Sequence, residues 1–328
     1  MATVVERLSP DSLPAGELSR LQVEVGHDGL GRPVRLPVLA VRGRKPGPVF
    51  GITAVVHGNE LNGIPVIQKL VRSLDPSTLR GTVVAVVVVN VPGYLANERE
   101  FLNSWDLNHH FPGKPRGNSA QVYVHRFMDR LVQHFDVLVD LHTASFGRVN
   151  SLYIRADMRE DLTAQMAYLH RPQIIVHNPP NDKTLRGRAH ALGIPAITVE
   201  IGNPQRYQGD FIKRTIQGVR ATMASQGMLK KRPLAAGPAP VLCRRSDWMY
   251  TEGGGLLEVF PKVTDAVKKG ERIAELVDPW GDRLAEYTAP VDGVILGKSV
   301  NPVAPTGARI VHLGRVATDQ DGFVKRQT

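Results

Sequence analysis

The chain has a single cysteine, Cys243, in 328 residues. A lone thiol excludes any intramolecular disulfide and any metal cluster built from cysteines, so a bound metal would have to be held by nitrogen and oxygen. No stretch approaches the roughly 18 uncharged apolar residues of a membrane helix, and Met1-Ala2-Thr3-Val4-Val5-Glu6-Arg7 has no basic segment followed by an apolar run. These absences predict a cytoplasmic protein with no membrane partner. Also missing is the basic-plus-aromatic pattern of an RNA-binding module, although the formal net charge is +10. The densest basic run, Lys230-Lys231-Arg232, precedes Pro233 and an Ala/Gly/Pro stretch, which suits a solvated linker. No nucleic-acid partner is therefore expected, and the surplus of arginine suits an anionic small substrate equally well. A homo-oligomer is compatible with this composition but not required by it.

What is present is a soluble globular composition, 42% hydrophobic and 22% charged, on a chain longer than one ordinary core usually holds. Apolar runs alternate with longer mixed segments, the pattern of an α/β layer fold. Strands are predicted at 20–26, 34–42, 48–56, 82–90, 136–141, 151–155, 173–177 and 196–201, and helices at 62–73, 119–134, 158–170, 184–192 and 209–226. Thr82–Val89 holds six valines and no charge, which predicts a strand buried on both faces inside the sheet. The Pro/Ala/Gly composition of 230–240 marks a boundary between a catalytic unit at 1–232 and an all-β unit at 233–328. Within the second unit, Val267–Ala274 and Ala289–Ile295 look like the turn phrases of biotinyl/lipoyl-type barrel-sandwich domains. The segment Asp278–Arg283 between them offers no lysine for a swinging arm, so a structural or lid-like use is predicted.

The chemistry begins at His57-Gly58-Asn59-Glu60, where an apolar strand gives way to a loop. A catalytic zinc usually takes three protein ligands and keeps a fourth position open, so a third donor should stand at another strand end. His142, closing the run from Phe135, meets that requirement. Ile197-Thr198-Val199-Glu200 ends a third apolar run in a carboxylate, a candidate for proton transfer. An unpaired charge after so apolar a run is costly unless it has a use. Glu60 could also cap the helix starting near Asn62, and the two roles can coexist. Asp140, two residues before His142, shares its strand face and suits a buried hydrogen-bonding role. Arg99 lies in the charged stretch Glu98-Arg99-Glu100, which by itself fits a solvated face equally well. His110, His125, His134, His170, His177 and His190 read as structural or surface residues, and neither Trp105 nor Trp248 is assigned to the cleft.

With these residues, together with Asn90-Val91-Pro92-Gly93-Tyr94, Asp106-Leu107-Asn108, Phe111-Pro112-Gly113 and Val199-Glu200-Ile201-Gly202, the chain resembles the succinylglutamate desuccinylase/aspartoacylase family. The resemblance covers most of residues 50–202 and includes the appended β unit. It implies a zinc-carboxypeptidase-like fold, a mixed and mostly parallel sheet flanked by helices, followed by a barrel-sandwich-like β domain. It implies one Zn²⁺ per chain held by His57, Glu60 and His142, with Glu200 as the catalytic carboxylate. Arg99 is then expected to stabilise the oxyanion and Asn108 to bind substrate.

One departure stands out. Where that family usually has Asp-Leu-Asn-Arg, this chain has Asp106-Leu107-Asn108-His109. A guanidinium offers a fixed two-pronged fork and stays charged, whereas an imidazole gives at most one donor to a given carboxylate. His109 is left with a single hydrogen bond to substrate, and Arg186 or Arg188 is expected to supply the missing charge. The reading is a zinc-dependent deacylase of a small anionic N-acyl amino acid. A metallocarboxypeptidase acting on peptides, and a non-catalytic binding protein on the same scaffold, are the alternatives.

Overall fold

The structure is a computed structural model and describes residues 1–180, 183–233 and 237–323. The middle of the expected linker, 234–236, lies outside the described residues. In chain order the first part runs β1 (Thr3–Val5), β2 (Glu17–His27), β3 (Pro33–Arg42), β4 (Lys45–Ala54), α1 (Gly63–Arg72), β5 (Arg80–Val86), α2 (Val91–Ala96) and α3 (Ser119–Arg130). It continues through β6 (Val137–His142), β7 (Arg148–Asn150), β8 (Leu152–Ala156), α4 (Asp161–Leu169), β9 (Ile174–His177), α5 (Leu185–Ala191), β10 (Ala196–Ile201) and α6 (Gly209–Ser225). The remainder is all β: β11 (Val241–Tyr250), β12 (Gly255–Val259), β13 (Ala266–Val267), β14 (Arg272–Val277), β15 (Arg283–Thr288), β16 (Gly293–Ser299), β17 (Val303–Ala304) and β18 (Arg309–Val316).

The principal sheet is mixed, in the order β1-β2-β3-β5-β4-β6-β10-β8-β9-β11-β18-β16-β13, with β7 attached to β16. Its centre, β5-β4-β6-β10, is parallel. The valine-rich β5 sits between β3 and β4, away from either edge, as the uncharged run from Thr82 requires. Side chains alternate across the sheet: Val137, Val139 and Leu141 join the core under α1, α4 and α6, while Leu138 joins the core that contains Val124 and Phe127 of α3. Asp140 and His142 share the face of Leu138. Each fully buried large side chain, such as Phe50 or Ile52, contributes about 1.5–3 kcal/mol, so two filled faces fix the strand register.

The predicted strands and helices all correspond to observed elements, and their ends differ for identifiable reasons. β4 stops at Ala54 rather than 56 because Val55 turns into the left-handed region at φ 60°. That conformation is unusual for a β-branched residue and redirects the chain just before His57. β5 stops at Val86, after which Val87 and Val89 donate their amides to Pro37 and Ala54 as the chain runs toward Asn90. α3 ends at Arg130, and 132–134 forms a separate single turn.

The C-terminal strands extend the same sheet, since β11 pairs parallel with β9 and β16 pairs antiparallel with β7. A second, antiparallel sheet, β15-β14-β12-β17, packs against them around a separate core that includes Leu257, Ile273, Leu276, Ile295 and Leu313. Asp278 shapes the turn between β14 and β15 by accepting the amides of Trp280 and Asp282. Among the described residues no helix is long and apolar enough to cross a membrane.

Candidate metal centre and substrate cavity

Three strand ends meet at the carboxyl edge of the parallel centre. His57 follows the β4 turn, His142 ends β6, and Glu200, on β10, is the register partner of His142. Gly58 is needed between His57 and Asn59: a Cβ there would lie 2.1 Å from the Gly93 carbonyl carbon and 2.4 Å from the Glu98 oxygen. The close approach lets the Gly58 amide donate to the Arg99 carbonyl, drawing Arg99 into the site.

His57, Glu60 and His142 are buried, and one ligand atom from each lies within 4.8 Å of the others. His57 Nδ1 is 2.9 Å from Glu60 Oε1, and His142 Nδ1 is 3.0 Å from Glu60 Oε2. The opposite ring nitrogens face carboxylates: His57 Nε2 is 3.1 Å from Asp106 Oδ1 and His142 Nε2 is 2.8 Å from Asp140 Oδ2. Asp140 is itself held by the Thr53 hydroxyl at 2.7 Å. A carboxylate behind each imidazole favours Nε2 as the protonated nitrogen of the neutral ring and turns Nδ1 toward the centre as the candidate ligand atom.

The donor set fits a divalent cation. His57 Nδ1 is buried and has no hydrogen-bond partner among the described residues although a Glu60 oxygen lies 2.9 Å away. Two lone pairs so close repel unless a cation stands between them. Neutral nitrogen and carboxylate oxygen are ligands that zinc accepts. Burial opposes the charge on both partners, yet the neighbours win: His57 and His142 hold Glu60 well below the usual carboxylate range, and Asp140 and Glu60 hold His142 well above the usual imidazole value. Glu60 does not cap α1. Its oxygens accept from Arg99 Nη1, Ser145 Oγ and the Thr143 amide instead.

Beside this cluster lies a cavity of about 280 Å³. Glu200 lines it, accepting from Asn150 Nδ2 at 3.3 Å, with Arg155 Nε 3.8 Å away. Burial raises the Glu200 pKa, and the Glu60 charge adds to this against the opposing pull of His142 and Arg155. Arg155 also donates to the Tyr153 hydroxyl at 3.0 Å.

Of the residues expected to touch substrate, Arg99, Asn108 and Arg186 line the cavity. Arg99 spans the site, donating to Glu60 and Ser145 through Nη1 and to Asp106 through Nη2. Asn108 Oδ1 accepts the Leu185 amide, so its NH₂ is the group it can offer a ligand. Arg186 is 4% exposed and clamps Asn178 through two hydrogen bonds.

His109 and Arg188, also expected to meet substrate, are not among the residues that line the cavity. His109 follows Asn108 on a tight turn and points outward, its side chain 70% exposed and 3.8 Å from Asp106. Arg188 is two residues from Arg186 on α5, a spacing that places side chains on different faces of a helix.

Reading the residues alone did not find Ser145, Arg148, Asn150, Tyr153, Arg155, Asn178 or Arg309, all of which line the cavity, and it left Trp248 open. Tyr153 and Arg155 carried a usable signal, a polar pair two apart in an otherwise apolar strand. Trp248 and Arg309 carried none, because long-range pairing of β11 and β18 brings them in. Trp105 packs edge-on against His110 instead.

The Succinylglutamate desuccinylase/Aspartoacylase catalytic domain model matches residues 46–226. The N-alpha-acetyl-L-2,4-diaminobutyric acid deacetylase of Halomonas elongata is 25% identical over 278 residues, covering 81% of each chain. A succinylglutamate desuccinylase of Pseudomonas paraeruginosa is 28% identical over 295 residues, covering 84% of this chain and 82% of the relative. Among solved structures, the product-bound ectoine utilization protein EutE (DoeB) from Ruegeria pomeroyi superposes with a TM-score of 0.83 at 19% identity over 95% of this chain and 99% of that one. A succinylglutamate desuccinylase/aspartoacylase from Rhodobacter sphaeroides gives a TM-score of 0.83 at 21% identity over 95% and 100%. Both share the fold described above.

Proposed function

Because this chain belongs to the succinylglutamate desuccinylase/aspartoacylase family of deacylases, we propose that it is a zinc-dependent hydrolase cleaving the amide of a small, anionic N-acyl amino acid. The observation that carries this reading is the convergence of His57 Nδ1, Glu60 and His142 Nδ1 beside a cavity containing Glu200.

His57, Glu60 and His142 would hold the ion, which when bound supplies a Lewis acid able to activate water toward an amide carbonyl. Glu200 takes the proton from that water and returns it to the leaving amine nitrogen. Its raised pKa makes the ionised carboxylate a better base, and Asn150 and Arg155 fix the direction in which it points. Arg99 pairs with both Glu60 and Asp106, and its charge at the cavity wall favours the oxyanion that develops on the acyl oxygen. Asn108 and Arg186 supply donors to the acid end of the substrate. A cavity of about 280 Å³ suits an amino-acid-sized substrate better than a peptide.

The test is a screen of the zinc-loaded protein against N-acetyl and N-succinyl amino acids for amine release. Turnover of at least one, with none of a peptide's C-terminal residue, supports the reading. Peptide cleavage alone selects a carboxypeptidase, and zinc uptake without any turnover rejects catalysis.

A further inference from the structure

Five guanidinium groups line the cavity: Arg99, Arg148, Arg155, Arg186 and Arg309. Three already have protein partners. Arg99 pairs with Glu60 and Asp106, Arg155 lies beside Glu200 and bonds Tyr153, and Arg186 bonds Asn178. Arg148 and Arg309 have no hydrogen bond or ion pair to a carboxylate among the described residues.

What these two share is Trp248. The Arg148 guanidinium carbon lies 5.9 Å and that of Arg309 5.4 Å from the centre of its ring. The indole is fixed in turn by His312, which stacks on it at 4.9 Å and 8° and is anchored through Nε2 to Ser246 Oγ at 2.8 Å. His312 is buried, and burial together with the charges of Arg155, Arg309 and Arg148 holds its pKa well below the usual value, so the stacked ring is neutral. Burial lowers the Arg148 pKa, with Arg309 and Arg99 adding like-charge repulsion. Two mutually repelling cations beside one rigid aromatic face, with no paired carboxylate among the described residues and only the charges of Glu60 and Glu200 acting on Arg148 from beyond ion-pair distance, form a receptor for an anion that arrives from outside.

We propose that Arg148 and Arg309, positioned on Trp248, form a specificity subsite for a substrate carboxylate remote from the scissile amide. This rests on the deacylase reading above. The subsite straddles the contact between the two parts of the chain: Arg148 is on β7, whose partner is β16, and Arg309 begins β18. It supplies two guanidinium groups at a place no local motif encodes, while His109 faces solvent. The carboxylate belongs either to the acyl group or to the amino acid.

The experiment compares wild type with Arg148→Gln, Arg309→Gln and the double variant, all zinc-loaded, on three substrates sharing one amino acid: N-succinyl, N-acetyl, and the N-succinyl α-carboxamide. If the acyl carboxylate is held, the kcat/KM preference for succinyl over acetyl falls at least tenfold in the double variant, mainly through KM. If the amino-acid carboxylate is held, the preference for acid over carboxamide falls instead. Arg309→Lys, which keeps the charge, retains part of the lost preference and separates recognition from a folding defect. Calorimetric titration with succinate gives a readout without turnover, and its affinity falls at least tenfold in the double variant. Unchanged preferences together with unchanged succinate affinity overturn the subsite. A wild type that turns over no N-acyl substrate, yet binds succinate through these arginines, overturns the deacylase reading and leaves the subsite standing.

Discussion

Asn150 donates its side-chain amide to Glu200 at 3.3 Å from a short strand that the C-terminal β unit holds in place. On the facing strand Gly297 is the register partner of Asn150, and a Cβ there would lie 2.2 Å from Asn150 Oδ1. The orientation of the candidate base therefore depends on a glycine almost a hundred residues further along the chain.

Gly297→Ala is predicted to push Asn150 off Glu200 and lower kcat by about ten- to a hundredfold, the usual scale for a misplacement near 1 Å. Zinc content should stay unchanged. Steady-state kinetics beside metal analysis checks this, and wild-type kcat in a folded variant would remove the coupling.

Glu200→Gln keeps the shape of the side chain and removes the proton acceptor. Turnover should drop by about 10²–10⁴-fold while zinc stoichiometry is retained. Activity near wild type would show that another group takes the proton.

Asp140→Asn replaces the carboxylate behind His142 with an amide that must also satisfy the Thr53 hydroxyl. Zinc affinity is expected to fall about 10–100-fold, as for other carboxylates that orient a ligating histidine. Competition with a chromophoric chelator measures it, and an unaltered dissociation constant would mean that Asp140 orients nothing.

Much of this organisation was legible in the sequence because it rests on local pattern. The valine run of β5, the apolar stretches ending in His142 and Glu200, and the glycine after His57 each carry their signal within about ten residues. Asp140 was readable from its two-residue spacing to His142. What escaped was whatever depends on contacts distant along the chain. Arg148 and Asn150 matter because β7 pairs with β16, and Trp248 and Arg309 matter because β11 pairs with β18. The short elements β1, β7 and α2 have too few residues to show a period. The outward turn of His109 is set by a single-turn helix whose facing no pattern announces.

His170, which reads in the sequence as structural or surface, gives the fold an acid sensitivity that can be measured. It is 3% exposed, neither ring nitrogen has a partner among the described residues, and burial pushes its pKa down to about 3. Unfolded chains take up this proton as pH falls through about 6.5, folded ones only near 3, so stability present above 6.5 is lost across that window. His170→Phe should reduce the slope of unfolding free energy against pH by up to about 1.4 kcal/mol per unit there. Urea unfolding between pH 7 and pH 4 checks it, and parallel slopes would show that His170 does not contribute.

The most direct test of the metal centre is calorimetric titration of zinc into chelator-stripped protein, for wild type and for Glu60→Gln and His142→Ala. The account predicts one site per chain in wild type and loss of that site in both variants. A wild type that takes up no zinc, or variants that take it up as tightly, would contradict it.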